Sequence, residues 1–249
     1  MEIYGLLFTL LLGFFILIGT GIVFLTKNND KFIQFSLSLA LGVMVTLVGI
    51  DLLPEVIEIM SNSLGNGYSL LIAIIFILMG MGGLKLLDKF IPDHDEDGEL
   101  DNDNLHHIGI ISSIALILHN IIEGMAIYST FVSSFKLGLM ICVGVGLHNI
   151  PLGMVIASTF YKYNNSKKKT ILISILISLS TFLGGLIMYL LSSFISELLL
   201  GILLSVTLGM VLYIIVFELL PHVIESKYKR ISILGCLLGV ILMLISLFL

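Results

Sequence analysis

The sequence predicts an all-α membrane protein that crosses the bilayer eight times. Two observations carry this prediction: 58% of the 249 residues are hydrophobic, with a mean hydropathy of +1.15, and only 12% are charged. A soluble domain with a single core does not have this composition. A transmembrane helix needs about 20 mostly apolar residues, and eight segments meet that requirement. Named α1 to α8 in chain order, they are 3–25, 32–59, 69–90, 108–131, 136–160, 170–195, 199–224 and 231–249.

The connections between these segments are short and polar, with one exception. Segment 91–107, between α3 and α4, holds seven acidic residues and three histidines. No linker rich in proline, glycine or serine divides the chain, so we expect residues 1–249 to form a single transmembrane domain. No basic stripe interleaved with aromatic residues is present, so nucleic-acid binding is not predicted. Cys142 and Cys236 lie inside apolar segments, which is typical of small buried side chains.

The distribution of lysine and arginine predicts the orientation in the membrane. If the N-terminus is outside, eleven of the twelve basic residues fall on the cytoplasmic side, and the exception is Lys136. An excess of basic residues in cytoplasmic loops is the usual determinant of topology. We therefore expect a multi-pass protein of the cell membrane with both termini extracytoplasmic.

Two polar segments near the middle of α4 and α5 almost repeat each other. Residues 118–125 read LHNIIEGM and residues 147–154 read LHNIPLGM. A charged group at the centre of a membrane helix costs roughly 2.5–3.5 kcal/mol, and such groups usually mark a binding site or a pathway. His119 and Glu123 are four residues apart and therefore share one helix face. Imidazole nitrogen with carboxylate oxygen suits zinc, iron(II), manganese or cobalt.

Further donors flank this pair. His148 and Asn149 on α5 can add an imidazole nitrogen and an amide oxygen, and Pro151 breaks the helix by removing a backbone N–H, which is tolerated where the backbone lines a cavity. A polar side chain can instead hydrogen-bond between helices, for roughly 0.6–2 kcal/mol, and this alternative stays open for both asparagines. The predicted metal ligands are His119, Asn120, Glu123, His148 and Asn149.

A second repeat links α2 and α7. Residues 51–58 read DLLPEVIE and residues 218–225 read ELLPHVIE, near the C-terminal ends of helices that run in opposite directions. One motif then lies at the outer mouth of a pathway and the other at the inner mouth. Inverted repeats with polar sites at their interface are typical of secondary transporters. The alternative for the last acid of each motif is an interfacial residue that faces water. The predicted mouth residues are Asp51 and Glu55 outside, and Glu218 and His222 inside.

The acidic loop allows three interpretations. Residues 93–104 have the acids and the glycine of an EF-hand calcium loop, but Asn104 occupies the position of the bidentate glutamate. A calcium sensor is therefore the weakest interpretation. The other two are a solvated acidic linker and low-affinity metal capture by His94, His106 and His107.

Taken together, these motifs resemble those of the ZIP family of divalent metal transporters, over almost the whole chain. The resemblance is carried by HN-x-x-EG on α4, HN-I-P-x-G on α5, the Leu-Pro motifs and the histidine-bearing loop. It implies eight helices in a 3+2+3 inverted repeat and metal movement toward the cytoplasm between α4 and α5. It also implies an elevator-like motion of α1, α4, α5 and α6 against the other helices. Zinc is the first expected cargo, with Fe²⁺, Mn²⁺, Co²⁺ or Cd²⁺ as alternatives; the bilayer is the other partner, and a homodimer stays open.

The resemblance is to a GufA-like subgroup with an altered second metal site. Relatives in that subgroup have a bridging glutamate where this chain has Leu152, and a glutamate-proline pair where it has Thr181-Phe182. Because this chain departs from the subgroup at these carboxylates, we expect one central metal, bound by His119, Glu123 and His148, with Asn120, Asn149 or water completing its coordination.

Two other classes of function remain as alternatives. An intramembrane metalloenzyme needs a general base as in H-E-x-x-H, and the sequence has no such motif, so we do not expect an enzyme. A metal sensor that does not transport is suggested by the residues at positions 152 and 181.

Overall fold

The computed structural model describes residues 2–26, 29–65, 67–90 and 102–248. Across these residues the chain is helical, and eight helices are long and apolar enough to cross a membrane. The all-α fold with eight candidate spans is thereby confirmed. The helices are α1 Glu2–Leu25, α2 Asp30–Leu64, α3 Ser69–Asp88, α4 Asn102–Ser133, α5 Phe135–Asn164, α6 Lys167–Leu191, α7 Glu197–Glu225 and α8 Lys229–Phe248.

Local capping residues fix several helix ends. The side chains of Asn29, Ser166 and Ser196 each accept a hydrogen bond from the backbone N–H three residues on, which satisfies one of the free donors at a helix start. Gly65, with a φ of 74°, ends α2, where glycine adopts the left-handed region without steric cost.

Both helices that carry the Leu-Pro motifs contain a π-helical segment, Val48–Leu52 in α2 and Ile214–Leu219 in α7. Pro54 and Pro221 each follow their segment by two residues, and proline has no N–H with which to close a regular turn. The first acid of each motif lies within its π segment. The two repeated motifs therefore share a backbone irregularity as well as a sequence. Single π-helical turns occur frequently at functional sites.

The helices pack as two groups. In the first group, α1, α4, α5 and α6 pack on one another; in the second, α2 packs on α8 and on α7, and α3 packs on α7. The groups meet where α5 touches α2 and α8, and where α4 touches α7. The predicted metal ligands all belong to the first group, and both Leu-Pro motifs belong to the second.

Glycine sets the closest approaches within the groups. A Cβ atom at Gly124 would lie 2.0 Å from the carbonyl oxygen of Thr181, and one at Gly184 would lie 1.9 Å from that of Ile121. These reciprocal contacts bring α4 and α6 into direct backbone contact, a common packing device in membranes. The same reciprocal arrangement joins α3 to α7.

The start of α4 differs from the prediction. The helix begins at Asn102, six residues before the predicted residue 108, and Leu105 and His107 are buried in it. The polar residues of this first part of the helix look like a loop in the sequence, but Leu105, Ile108 and Ile111 pack into the main apolar core. His106 and His107 are therefore helical. His94 lies outside the described residues.

Replacing Gly124 by alanine is expected to lower the free energy of unfolding by about 1–3 kcal/mol, because the new methyl group overlaps a backbone carbonyl of α6. Thermal unfolding in detergent would measure the loss. Gly82→Ala is the matched control, since a Cβ atom there meets nothing within 4 Å and alanine favours the helix by about 0.5–1 kcal/mol. Equal effects of the two substitutions would contradict the proposed α4–α6 contact.

Candidate metal centre

Three of the predicted ligands come together between α4 and α5. The Nε2 atom of His148 lies 3.1 Å from Oε1 of Glu123, and Nε2 of His119 lies 3.6 Å from the same oxygen. One ligand atom from each of the three residues lies within 4.8 Å of the others. His119 and His148 are buried, and the Glu123 side chain is 11% exposed. We call these three residues the central triad.

The donor set of the central triad suits a divalent metal ion. Two imidazoles and one carboxylate are an established zinc set, and they leave a coordination position open. Glu123 Oε2 has no hydrogen-bond partner among the described residues. A buried carboxylate is costly unless a positive charge and further bonds compensate it. A cation between the three side chains would supply both.

The two asparagines differ in their contacts. Asn120 donates from Nδ2 to the carbonyl oxygen of Ile177 on α6 at 3.3 Å, so its amide nitrogen ties two helices together. Its Oδ1 atom, and both side-chain polar atoms of Asn149, are buried with no hydrogen-bond partner in the described part of the chain. A buried polar atom left unpaired costs about 1–3 kcal/mol. Both residues therefore keep an oxygen that can accept from water or bind a metal.

A cavity of about 380 Å³ extends from the central triad toward the C-terminal end of α2. His119 and Glu123 line one end of it, and Asp51, Glu55 and Glu58 line the other. Glu58 is exposed, so the cavity reaches the surface. The first Leu-Pro motif thus shares one space with the predicted ligands.

The opposite side of His119 is closed by apolar side chains. The space there is only about 10 Å³, which is at the lower limit for one water molecule. Leu152, where the subgroup resemblance implies a glutamate in relatives, is part of this barrier. We call the following residues the apolar seal: Met44, Leu47, Ala115, Leu116, Leu152, Val211 and Ile214.

The second Leu-Pro motif lies beyond the apolar seal. Glu218 is not in the cavity but next to His107, whose Nε2 atom lies 2.6 Å from Asp88 Oδ1 and 3.8 Å from Glu218 Oε1. Further along α7, Nδ1 of His222 lies 2.7 Å from the backbone oxygen of Glu218. Sequence reasoning did not single out Asp88. The sequence signal that could have identified Asp88 was its position as an acid at the end of the apolar helix α3, at the depth predicted for Glu218.

The placement of His106 and His107 in the loop is corrected by the structure. His107 points at Asp88 and Glu218, whereas His106 stacks on the ring of Tyr163 at a centroid distance of 3.9 Å. Neighbouring residues on a helix project in different directions, so the two histidines do not act as one pair.

Comparison with known proteins identifies the family. A family model described as ZIP Zinc transporter matches residues 93–247, more than half of the chain. The chain belongs to the ZIP family. A zinc transporter ZupT of Chlorobium luteolum is 31% identical over 98% of this chain and 97% of its own length. The ZupT proteins of Akkermansia muciniphila and Streptococcus mutans are 32% and 28% identical, over 97% and 93% of this chain and 95% and 92% of their own lengths.

Membership in the ZIP family confirms the resemblance inferred from the motifs. The protein is a multi-pass membrane transporter, not an intramembrane metalloenzyme. The central triad lies on α4 and α5, within the matched part of the chain. The role of its residues as ligands, and the GufA-like subgroup, stay predictions.

Substituting Glu123→Gln is expected to remove one equivalent of bound zinc, or to weaken its binding at least about 100-fold, because the amide keeps the size but not the charge of the ligand. Loss of a supporting residue alone costs about 10–100-fold. Calorimetric titration of the purified protein in detergent would measure this. Ser129→Ala, on the same helix and with its hydroxyl bonded to Met125 O, is the control. Unchanged titration of the Glu123 variant would exclude the central triad as a zinc site.

Proposed function

We propose that this ZIP protein carries divalent transition metal ions, zinc first, into the cytoplasm by way of the central triad. The observation that carries the proposal is the continuous cavity from exposed Glu58 to His119 and Glu123. The names of the relatives and the family description support zinc as the cargo. Iron, manganese, cobalt and cadmium ions are the alternatives that nitrogen and oxygen ligands allow.

The direction of transport follows from the predicted orientation. With both termini outside, the C-terminal end of α2 faces the exterior of the cell, and so does the cavity. Asp51, Glu55 and Glu58 then collect cations at the outer mouth, and a negative cleft raises the local cation concentration. The apolar seal separates the triad from the cytoplasm in this conformation.

A single metal is proposed at the central triad. Glu123 is its only carboxylate, and the two positions at which subgroup relatives carry glutamate are Leu152 in the apolar seal and buried Thr181. The double positive charge of one metal ion already exceeds the single negative charge of Glu123. A second dication close by would meet a strong repulsion in a medium of low dielectric.

The two helix groups suggest how the metal crosses the seal. All three ligands lie on α4 and α5 of the first group. Met44, Leu47, Val211 and Ile214 of the seal belong to the second group, and Leu152 belongs to the first. Sliding of the first group along the second would carry the triad past these residues toward Glu218. This is an elevator-like form of alternating access, in which the ligands move with their metal.

Uptake of a panel of divalent metals into proteoliposomes is the direct test of the function. Wild-type protein should accumulate zinc, whereas His119→Ala, Glu123→Ala and His148→Ala should each reduce the rate to that of protein-free vesicles. Ser129→Ala should retain uptake. Normal uptake by all three alanine variants would refute the central pathway. Zinc binding without any uptake by the wild type would instead favour a metal sensor.

A cross-link between the helix groups tests the proposed motion. A Cβ atom built on Gly144 of α5 lies 4.0 Å from that of Ser246 on α8, within the range of about 3.5–4.5 Å that a disulfide spans. Gly144→Cys/Ser246→Cys, in a chain with Cys142 and Cys236 changed to alanine, should lose zinc uptake when oxidised and regain it on reduction.

The reduced form of the same variant is the control for this experiment. It must show uptake first, since the new Cβ atom lies 2.6 Å from the Ser246 carbonyl oxygen and α8 has to shift to accept it. Equal uptake before and after a cross-link verified by mass spectrometry would argue against relative sliding of α5 and α8.

A further inference from the structure

We propose that Ser112 on α4 lines the route by which the metal ion leaves the central triad, and that hydration of its hydroxyl favours opening of the apolar seal. This inference rests on the proposed function, because it concerns the release step of that function. Ser112 belongs to none of the repeated motifs.

The hydroxyl of Ser112 is buried without a partner. The residue is 1% exposed, and no described residue forms a hydrogen bond with its Oγ atom. A serine inside a helix can donate to the backbone carbonyl four residues earlier. The neighbouring Ser113 does so, with its Oγ atom 2.6 Å from the carbonyl oxygen of Gly109. Because Ser112 does not form the equivalent bond, its oxygen remains available to water or to a cation.

The register of α4 places Ser112 directly beyond the apolar seal. It precedes His119 by seven residues, which corresponds to about two turns and about 10.5 Å along the helix axis. Ala115 and Leu116 follow Ser112 by three and four residues, and both belong to the seal. Residues at these spacings share one helix face. Ser112 therefore lies on the face of α4 that meets the seal, on the side of the seal opposite the central triad.

The surroundings of Ser112 on α4 are apolar. From residue 108 to residue 118, only the two adjacent serines have polar side chains, and Ile111 packs into the main apolar core with Ile214 of α7. An ion that leaves the central triad along this face of α4 therefore meets Ser112 as its first polar side chain. The serine oxygen can replace one water molecule of the hydrated ion at that point.

The unpaired hydroxyl disfavours the closed state of the apolar seal. A buried hydroxyl without a partner has lost its hydrogen bonds to water, and it regains them when its surroundings open to water. A group that is better solvated in one of two conformations shifts the equilibrium toward that conformation. In the proposed sliding motion, α4 moves with the central triad past the seal residues of α2 and α7. Ser112 then enters the opening on the release side, where its hydroxyl is hydrated.

The maximal rate of zinc uptake into proteoliposomes tests the role of the hydroxyl. Ser112→Ala should lower this rate about fivefold or more, since fivefold corresponds to the lower end of the cost of an unpaired buried hydroxyl. Zinc binding in detergent should be as tight as in the wild type. The temperature of thermal unfolding should be no lower, because alanine removes a group that has no partner. Ser113→Ala is the matched control and should retain the wild-type rate.

Two variants of nearly equal shape separate the hydroxyl from packing. Ser112→Thr keeps the hydroxyl, whereas Ser112→Val has a methyl group in its place, so both add almost the same volume. Ser112→Thr should take up zinc several-fold faster than Ser112→Val. Equal rates for these two variants, or equal rates for Ser112→Ala and the wild type, would overturn the proposal.

Thiol labelling tests whether position 112 meets water during transport. In a chain with Cys142 and Cys236 changed to alanine, Ser112→Cys should react with a charged, water-soluble thiol reagent while zinc uptake proceeds. Ser113→Cys should react far more slowly, because its side chain points toward another side of α4. Uptake should fall as the label is attached at position 112. Reaction of Ser112→Cys no faster than that of Ser113→Cys would exclude this position from the route.

The outcomes separate failure of this inference from failure of the proposed function. If uptake depends on the central triad but Ser112→Ala matches the wild type, the proposed function stands and Ser112 is a packing residue. Uptake that survives loss of the central ligands but still falls in Ser112→Ala would refute the central pathway and keep Ser112 on the route of the ion. Absence of uptake by the wild type would refute both.

Discussion

The arrangement of this protein depends on the carboxylate of Glu123, which is held between two imidazoles in the middle of a helix bundle. One charge at that depth is stable only with compensation, and His119 and His148 provide part of it through contacts of 3.6 and 3.1 Å. The contact with His148 fixes α4 against α5, and the glycine contact at Gly124, one residue after the carboxylate, fixes α4 against α6. The three helices that surround the ligand therefore pack together around it, as the proposed elevator-like motion requires.

The two Leu-Pro motifs have equivalent sequences but different surroundings. The motif of α2 opens into the cavity that reaches the central triad, while the motif of α7 lies beyond the apolar seal, with Glu218 paired to His107. The two repeated motifs are therefore in different states: the α2 motif is connected to the central triad by the cavity, and the α7 motif is separated from it by the apolar seal. In the proposed mechanism, exchange of the two arrangements gives the opposite state, as in other transporters built from inverted repeats.

The features that could be predicted from the sequence were those that depend on residue spacing or composition within a single helix. His119 and Glu123 share a face by spacing alone, the repeat of HN on α5 pointed to His148, and apolar length gave the eight spans. Contacts that three helices make together have no such signature, so Asp88 was missed and His107 was assigned to the loop. The start of α4 was misplaced for a related reason: Leu105 and His107 are buried against other helices, although the sequence around them is polar. The π segments were also missed, although a proline soon after an intramembrane acid is a signal of a disturbed turn.

In the predicted orientation, the number of acidic side chains decreases from the outer mouth to the centre and increases again toward the inside. Asp51, Glu55 and Glu58 line the outer cavity, Glu123 alone serves the centre, and Asp88 and Glu218 lie at the inner end. A cation pathway must attract ions at its ends and still release them from its middle. In the proposed pathway, Leu152 offers no charge that would hold a dication where it must leave, and it adds an apolar residue to the seal. The same residue therefore supports both the proposed one-metal centre and the closed barrier.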